Sequence, residues 1–327
     1  MPVNEGQDTL LRLVAKLYYI DNLGQSEIAE LVGLSRSQVS RLLTRSRERG
    51  VVRISVDEYD PRNRSLENQL QDFLKMHRVY VIKVSRDSTP AVVRYSVGYF
   101  GASLVSELFR SNMVVGLAGG RSIYELVNRI EPVGGTMGLT VAQLMGNVGP
   151  EVVRDDAIEL CRELAQRFMG TFIALSVPVH VDNVHTRDAL MQHEHISRVW
   201  KLFDIMDVAL VGIGSLQDSM FIDRKMLTDE DIRKLLQRNA VGEICGRFYD
   251  PDGQECDTDY RDRVLSIGLN ELRGINEVIG VVANAESRVF AICAAARGGM
   301  IKTLLIDEIG ALAILKKAEK DRLQEIA

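Results

Sequence analysis

Six arginines, Arg36, Arg41, Arg45, Arg47, Arg49 and Arg53, fall between Gly33 and Val56, where Glu48 is the only acidic residue. Six minus one leaves +5 in this window, in a chain whose formal charge is −5. A basic stripe confined to one stretch of an acidic chain points to a segregated nucleic-acid-binding end, not to a generally sticky surface. Ser35, Arg36, Ser37, Gln38, Ser40 and Arg41 supply the side-chain types that reach phosphates and base edges in a major groove. Arg36, Gln38 and Arg41 are expected at base edges, and Arg45, Arg47, Arg49 and Arg53 at phosphates. A second set of residues suggests a different chemistry. Gly119-Gly120-Arg121-Ser122, Gly146-Asn147, Gly212-Ile213-Gly214-Ser215 and Asn284-Ala285-Glu286-Ser287-Arg288 are short polar turns, most of them bearing glycine. Glycine lets a backbone approach a ligand, and the start of a helix presents N–H groups to an anion. These turns suit the holding of a small anionic molecule.

The first set needs a helix presented to DNA, and the spacing supplies one. Counting Gln25 as position one, Ala29 is fifth, Gly33 ninth, Val39 fifteenth and Leu42 eighteenth. A small residue lets two helices cross closely, a glycine takes the turn, and two apolar residues pin the second helix to the first. Ser35 and Gln38 have the spacing of a capping box at the start of that second helix. Leu10, Leu13, Val14, Leu17 and Tyr18 recur at helical spacing before it. The alternating run VVRISV after Gly50 reads as a short strand or wing that would carry Arg53. The expectation is a helix-turn-helix domain of winged-helix type over 1–56 and a polar, proline-bearing linker over 57–65.

The second set needs a scaffold that gathers several turns at one place. With 327 residues the chain is long enough for two domains. From 66 to 327, apolar β-rich runs at 79–84, 113–117, 139–144, 172–179, 208–213, 278–283 and 303–306 alternate with helical stretches. Those stretches fall at 89–110, 121–130, 152–168, 187–204, 228–238, 286–297 and 308–325. The pattern predicts an α/β domain with a mainly parallel sheet covered on both faces. Ligands in such sheets bind outside the carboxyl ends of the strands, where the polar turns fall. Asp250-Pro251-Asp252-Gly253 reads as the turn of a hairpin insertion.

The order of motifs, GLAGGRSIYELV, QLMGNVG, DVALVGIGS, AVGEICGRFYDPDG, VIGVVANAESRVFAICAAARGG and TLLIDEIGALAIL, behind such a helix-turn-helix resembles the SorC (DeoR/SorC) family of bacterial sugar-responsive transcription regulators. The resemblance runs nearly the whole length. It implies an effector domain related to sugar-phosphate isomerases, a sugar or sugar-phosphate effector, operator DNA as partner and a tetrameric homo-oligomer. It also implies effector-binding roles for Gly119, Gly120, Arg121, Ser122, Gln143, Gly146, Asn147, Gly212, Gly214, Glu243 and Arg288. In the 284–288 loop the family's two glycines are absent and Arg288 stands where lysine is common. Arginine can hold a phosphate bidentately but cannot act as an amine nucleophile.

The competing reading is a sugar-phosphate isomerase or deaminase-like enzyme with an added DNA-binding domain, with Glu243 as its nominal base. The helix-turn-helix has no purpose in a plain enzyme, so the regulator is preferred, with no cofactor. No metal is expected: His193 and His195 do not share a helix face, and no H-E-x-x-H occurs. His180 and Asp182 follow an expected strand and are candidates for the pocket mouth. Trp200 is expected in the core. Cys161, Cys245, Cys256 and Cys293 are scattered, no apolar run reaches membrane-spanning length, and MPVNEGQDTL carries no signal-peptide pattern. A reduced cytoplasm is the expected setting, with no membrane partner.

Overall fold

The computed structural model describes residues 5–53 and 59–326. The chain divides into two compact units, Met1–Asp60 and Pro61–Ala327.

In the first unit, α1 (Glu5–Tyr19), α2 (Gln25–Val32) and α3 (Arg36–Glu48) close around Leu11, Val14, Ile28, Ala29, Val39 and Leu43, all buried. Gly33 ends α2 in the left-handed region at φ 66°, which a glycine adopts without strain. Ser35 then caps α3 reciprocally. Its Oγ accepts from the Gln38 N–H at 3.3 Å, and its own N–H donates to Gln38 Oε1 at 2.9 Å. Leu42, expected as a pin, is only half-buried, and Leu43 sits in the core instead. The expected strand does not begin at Val51–Arg53, which form a bend closed by the Val52 N–H on Ser46 O. The rest of the wing, Ile54–Val56, lies outside the described residues.

The second unit carries seven parallel strands in the order β1-β9-β8-β5-β2-β3-β4. They are β1 (Arg78–Ile82), β2 (Val114–Leu117), β3 (Thr140–Gln143), β4 (Thr171–Ile173), β5 (Val208–Gly212), β8 (Glu277–Val282) and β9 (Thr303–Asp307). Strands β6 (Gly242–Ile244) and β7 (Arg247–Tyr249) form a separate hairpin. The helices are α4 (Arg64–Leu74), α5 (Pro90–Ser106), α6 (Arg121–Val127), α7 (Ala157–Arg167), α8 (Val184–Met191), α9 (Glu194–Phe203), α10 (Met220–Asp223), α11 (Asp229–Gln237), α12 (Leu269–Gly274), α13 (Val289–Arg297) and α14 (Glu308–Ile326). One face of the sheet packs on α5, α6 and α7 through Val97, Val105, Ile123, Leu126, Leu160 and Leu164. The other packs on α4, α9, α13 and α14 through Leu70, Val199, Ile292 and Ile314. Both faces are covered, which is why the strands read as continuous apolar runs.

Several expected boundaries move. Residues 61–65, expected in the linker, belong to the second unit. Lys83 N–H donates to Pro61 O at 2.8 Å, Asn63 N–H to Val81 O at 2.9 Å, and Arg62 holds Glu67 bidentately at 2.7 Å. The run at 172–179 pairs as a strand only over Thr171–Ile173; beyond it a single bridge joins Asn147 to Pro178. The helix expected at 187–204 breaks at Gln192-His193 into α8 and α9. The chain turns at Asp250–Gly253 as expected, where the Gly253 N–H donates to Asp250 O at 2.9 Å and Tyr249 bridges Glu255, but a tighter turn that was not expected comes before it and joins β6 to β7 at Cys245-Gly246. Both residues of this tighter turn have positive φ, 55° and 79°, as a two-residue hairpin loop requires.

Candidate anion-binding cleft and nucleic-acid interface

The strand order reverses beside β2. The chain runs outward from β2 to β3 and β4, then returns to lay β5 on the other side of β2 and continues through β8 to β9, which pairs with the earlier strand β1. The loops after β2 and β5 therefore part, and a crevice opens at their carboxyl ends. Gly119, Gly120, Arg121 and Ser122 line it after β2, Gly212 at the end of β5 with Ile213 and Gly214 after it, and Asn284 and Arg288 after β8. The cleft is open to solvent and has a cavity volume of about 110 Å³.

Glu243 closes the floor. Gly214 and Glu243 exchange both backbone hydrogen bonds at 2.9 Å, which clamps the β6–β7 hairpin onto the end of β5. A Cβ on Gly214 would stand 2.6 Å from Glu243 Oε2, so a larger residue there would displace the carboxylate. Glu243 is 7% exposed, and its Oε1 accepts the Gly246 N–H at 2.6 Å. Burial raises its pKa to about 7, against the Gly246 N–H and the Arg288 charge, which pull it down. Glu243 can thus accept or donate a hydrogen bond near neutral pH.

Three arginines line the same cleft. Arg121 opens α6 and is exposed. Arg288 is mostly buried; its Nη1 donates to Ala283 O at 3.0 Å, and its Nε has no hydrogen-bond partner among the described residues. The third is Arg94 on α5. Gly98 lets α5 press onto α6 so closely that a Cβ there would lie 2.5 Å from the Glu125 backbone. Arg94 and Arg121 stand one turn earlier on their helices, so the same crossing brings them together. Burial and the Arg121 charge lower the pKa of Arg94, and burial together with that same charge lowers Arg288. Cations held this close favour an anion between them.

The structure brings Gly119, Gly120, Arg121, Ser122, Gly212, Gly214, Glu243 and Arg288 to one cleft. The glycines at 119 and 120 also serve packing. The Gly120 N–H donates to Asp155 O at 2.8 Å, and a Cβ on Gly119 would stand 3.1 Å from Ala157 N. Gln143, Gly146 and Asn147 are absent from the lining, and Met145 stands in their place. Gln143 is consumed as a brace: it accepts the Leu175 N–H at 2.9 Å and donates to Met145 O and Asn147 Oδ1. Gly146 is there for close packing, because a Cβ would lie 2.6 Å from the Pro178 backbone. His180 stacks on Tyr260 at 5.1 Å and does not line the cleft; neither does Asp182. Trp200 is half-buried, packed on Phe203 at 5.4 Å. Sequence reasoning missed Arg94, Asp218 and Cys245 in the lining. Among the described residues no group of three His, Cys, Asp or Glu side chains is placed to hold a metal ion.

In the first unit α3 buries Val39, Leu43 and Ser46. Ser37, Arg41 and Thr44, at i, i+4 and i+7, form its outermost ridge. Gln38, Arg45 and Arg49 flank it towards Leu10 and Leu11 of α1, and Arg41 borders the same groove from the ridge. Arg36, Ser37, Ser40, Arg41, Thr44, Arg45 and Arg47 are exposed. Thr44, which sequence reasoning left out, shares the ridge with Arg41, and its hydroxyl donates to Ser40 O at 3.2 Å. Gln38 has its Oε1 committed to the cap, which leaves only its amide NH₂ for a base edge.

Comparison with known proteins fits both halves. Residues 61–316 match the Sugar-bind family, a sugar-binding domain, and residues 22–52 match the crp family of bacterial regulatory proteins. The chain is 30% identical over 317 residues to the sorbitol operon regulator of Klebsiella pneumoniae, covering 96% of this chain and 99% of that one. It is 29% identical over 307 residues to the deoxyribonucleoside regulator of Bacillus subtilis, covering 92% and 95%. The crystal structure of the full-length sorbitol operon regulator SorC from Klebsiella pneumoniae superposes with a TM-score of 0.74, at 28% identity over 94% of this chain and 98% of that one. No described helix is long and apolar enough to cross a membrane.

Proposed function

The chain belongs to the sugar-binding-domain family of SorC-type transcription regulators, and from that premise we propose that the cleft at the switch point of the sheet is its effector site. The protein is a regulator of carbohydrate-metabolism genes and not an enzyme, as its relatives are. Its DNA end is the helix-turn-helix, and its effector is a sugar or a phosphorylated sugar. The observation that carries the assignment of the site is the gathering of Arg94, Arg121 and Arg288 in one cleft with the buried Glu243. Arginines hold an anionic group, and a carboxyl that can accept or donate suits sugar hydroxyls.

Arg121→Ala removes the most accessible of the three cations. It should weaken binding of an anionic effector by roughly 1.5–3 kcal/mol, the worth of a charged hydrogen bond, while operator binding without effector stays as in the wild type. Titrating sugars and sugar phosphates against an operator complex measures both at once. An unchanged effector response in Arg121→Ala would place the site elsewhere. No response of the wild type to any sugar would end the sensor assignment.

On α3, Arg41 stands on the outermost ridge and reads bases, with Arg36, Ser37 and Ser40 beside it. Arg45, Arg47 and Arg49 meet phosphates. Arg41→Ala should cost roughly 1–3 kcal/mol on the preferred operator and relax specificity. Arg45→Ala should weaken all sequences about equally and reduce the salt slope by about one ion. Equal loss on specific and random DNA for Arg41→Ala would remove it from the reading positions. The assembly we propose is an even-numbered homo-oligomer, four chains when complete, because one such helix buries too little on DNA to be selective. Footprints should then show paired half-sites, and light scattering an even number of chains.

A further inference from the structure

Arg288 already has an anionic neighbour, and it comes from the protein. Asp218 lies in the loop after β5, and its carboxylate lines the same cleft. Its Oδ2 accepts the Ser287 hydroxyl at 2.8 Å and stands 3.9 Å from Arg288 Nη2. That second distance is too long for a hydrogen bond, so charge alone relates the two. The Asp218 N–H donates to Ser215 Oγ at 3.2 Å, which steadies the loop that presents the carboxylate. Arg288 meanwhile spends one N–H on Ala283 O and leaves Nε without a hydrogen-bond partner among the described residues. Its hydrogen-bonding capacity is open while its charge is partly answered. The Asp218 side chain is 44% exposed and that of Arg288 16%. The aspartate can therefore swing into water at little cost, whereas the arginine stays fixed by its packing.

We propose that Asp218 is the cleft's internal counter-anion, a specificity-setting residue that an effector anion must displace from Arg288. This rests on the cleft being the effector site. Asp218 repels any anion entering the cleft and returns that cost only when it is pushed out to solvent. A ligand with one diffuse negative charge gains little from the exchange. A ligand with two charges on one small group, such as a phosphate monoester, outcompetes a single carboxylate for the same guanidinium. Asp218 thus selects for doubly charged groups, and Ser287 holds it in position to do so.

The sign of the effect separates this role from an ordinary contact residue. In the full-length protein, Asp218→Asn should bind inorganic phosphate about five- to tenfold more tightly than the wild type, the worth of one charge at about 4 Å in a partly wetted site. It should also gain detectable affinity for acetate. Ser287→Ala should move both in the same direction by less. Calorimetry at pH 7.5 reads the binding, and a thermal melt checks that each variant is folded. Phosphate binding that is unchanged or weaker in a folded Asp218→Asn overturns the proposal, because Asp218 is then a bystander or touches the ligand itself. Arg121→Ala separates this from failure of the site: if the wild type binds phosphate and Arg121→Ala binds it equally well, the cleft is not the anion site at all. If neither the wild type nor Asp218→Asn binds phosphate, both assignments fall. Binding by Asp218→Asn alone supports this one.

Discussion

Glu243→Gln should leave the second unit more stable than the wild type at pH 8, by about 2–3 kcal/mol, and should erase a pH dependence that the wild type shows between about 4.5 and 7. The folded carboxyl has a pKa of about 7, against an ordinary value of 4.5, because it is buried. Above pH 7 the native state carries a buried charge that the unfolded chain carries in water at no cost. As pH falls through 7, the folded carboxyl takes up its proton first and stability rises. The rise is complete near 4.5, where the unfolded carboxyl is protonated as well. Stability from this group is thus fully present at low pH and lost as pH rises through about 7. A neutral glutamine removes the titration, and its amide oxygen can still accept the Gly246 N–H. Urea unfolding followed from pH 4.5 to 8 checks this, since the two curves should converge at the acid end. Parallel curves would mean that Glu243 is solvated. The same group links protons to effector. An anion among the three arginines raises the Glu243 pKa further, so effector binding near pH 7.5 should take up protons, seen as a buffer-dependent binding enthalpy.

The sequence made the seven strands and the helix-turn-helix legible because each rests on a local pattern. Apolar runs of the right length mark strands buried on both faces, and Gly33 with the Ser35–Gln38 cap marks the entry to α3. The cleft was legible where its residues follow a strand directly, as Arg121, Gly214 and Arg288 do. Arg94 was not, because it reaches the cleft through the crossing of α5 and α6 at Gly98, and no spacing along the chain reports a helix crossing. Asp218 was hidden for a similar reason: its meaning comes from Ser287 and Arg288, some seventy residues away. Gln143 misled in the opposite direction. A polar residue at the end of a strand resembles a ligand contact, but here the Leu175 N–H, the Met145 carbonyl and the Asn147 side chain engage the amide. The turn at Cys245-Gly246 escaped because Asp250-Pro251-Asp252-Gly253 is the stronger local signal. Pairing of Gly242 with Tyr249 and Ile244 with Arg247 leaves only two residues for the loop.

Leu43→Ala should silence the DNA end and spare the effector end. Leu43 is 4% exposed and packs in the small cluster of Val14, Ile28, Ala29 and Val39. Removing a buried leucine side chain to alanine costs about 2–5 kcal/mol, part lost transfer energy and part cavity. A unit of some sixty residues has only about 3–9 kcal/mol to lose. The variant's first unit should therefore be largely unfolded near its working temperature, and operator affinity should fall by the fraction unfolded or more. Leu42→Ala, at a half-buried position, should cost much less, although residue spacing alone favours Leu42 as the pin. The single tryptophan gives a clean control, because Trp200 belongs to the second unit. Far-UV circular dichroism of Leu43→Ala should lose helix at low temperature, while the tryptophan fluorescence melt and the affinity for effector match the wild type. Loss of the fluorescence transition as well would mean that the second unit depends on the first for its fold. Full operator binding by Leu43→Ala would show that this side chain does not hold α3 in place.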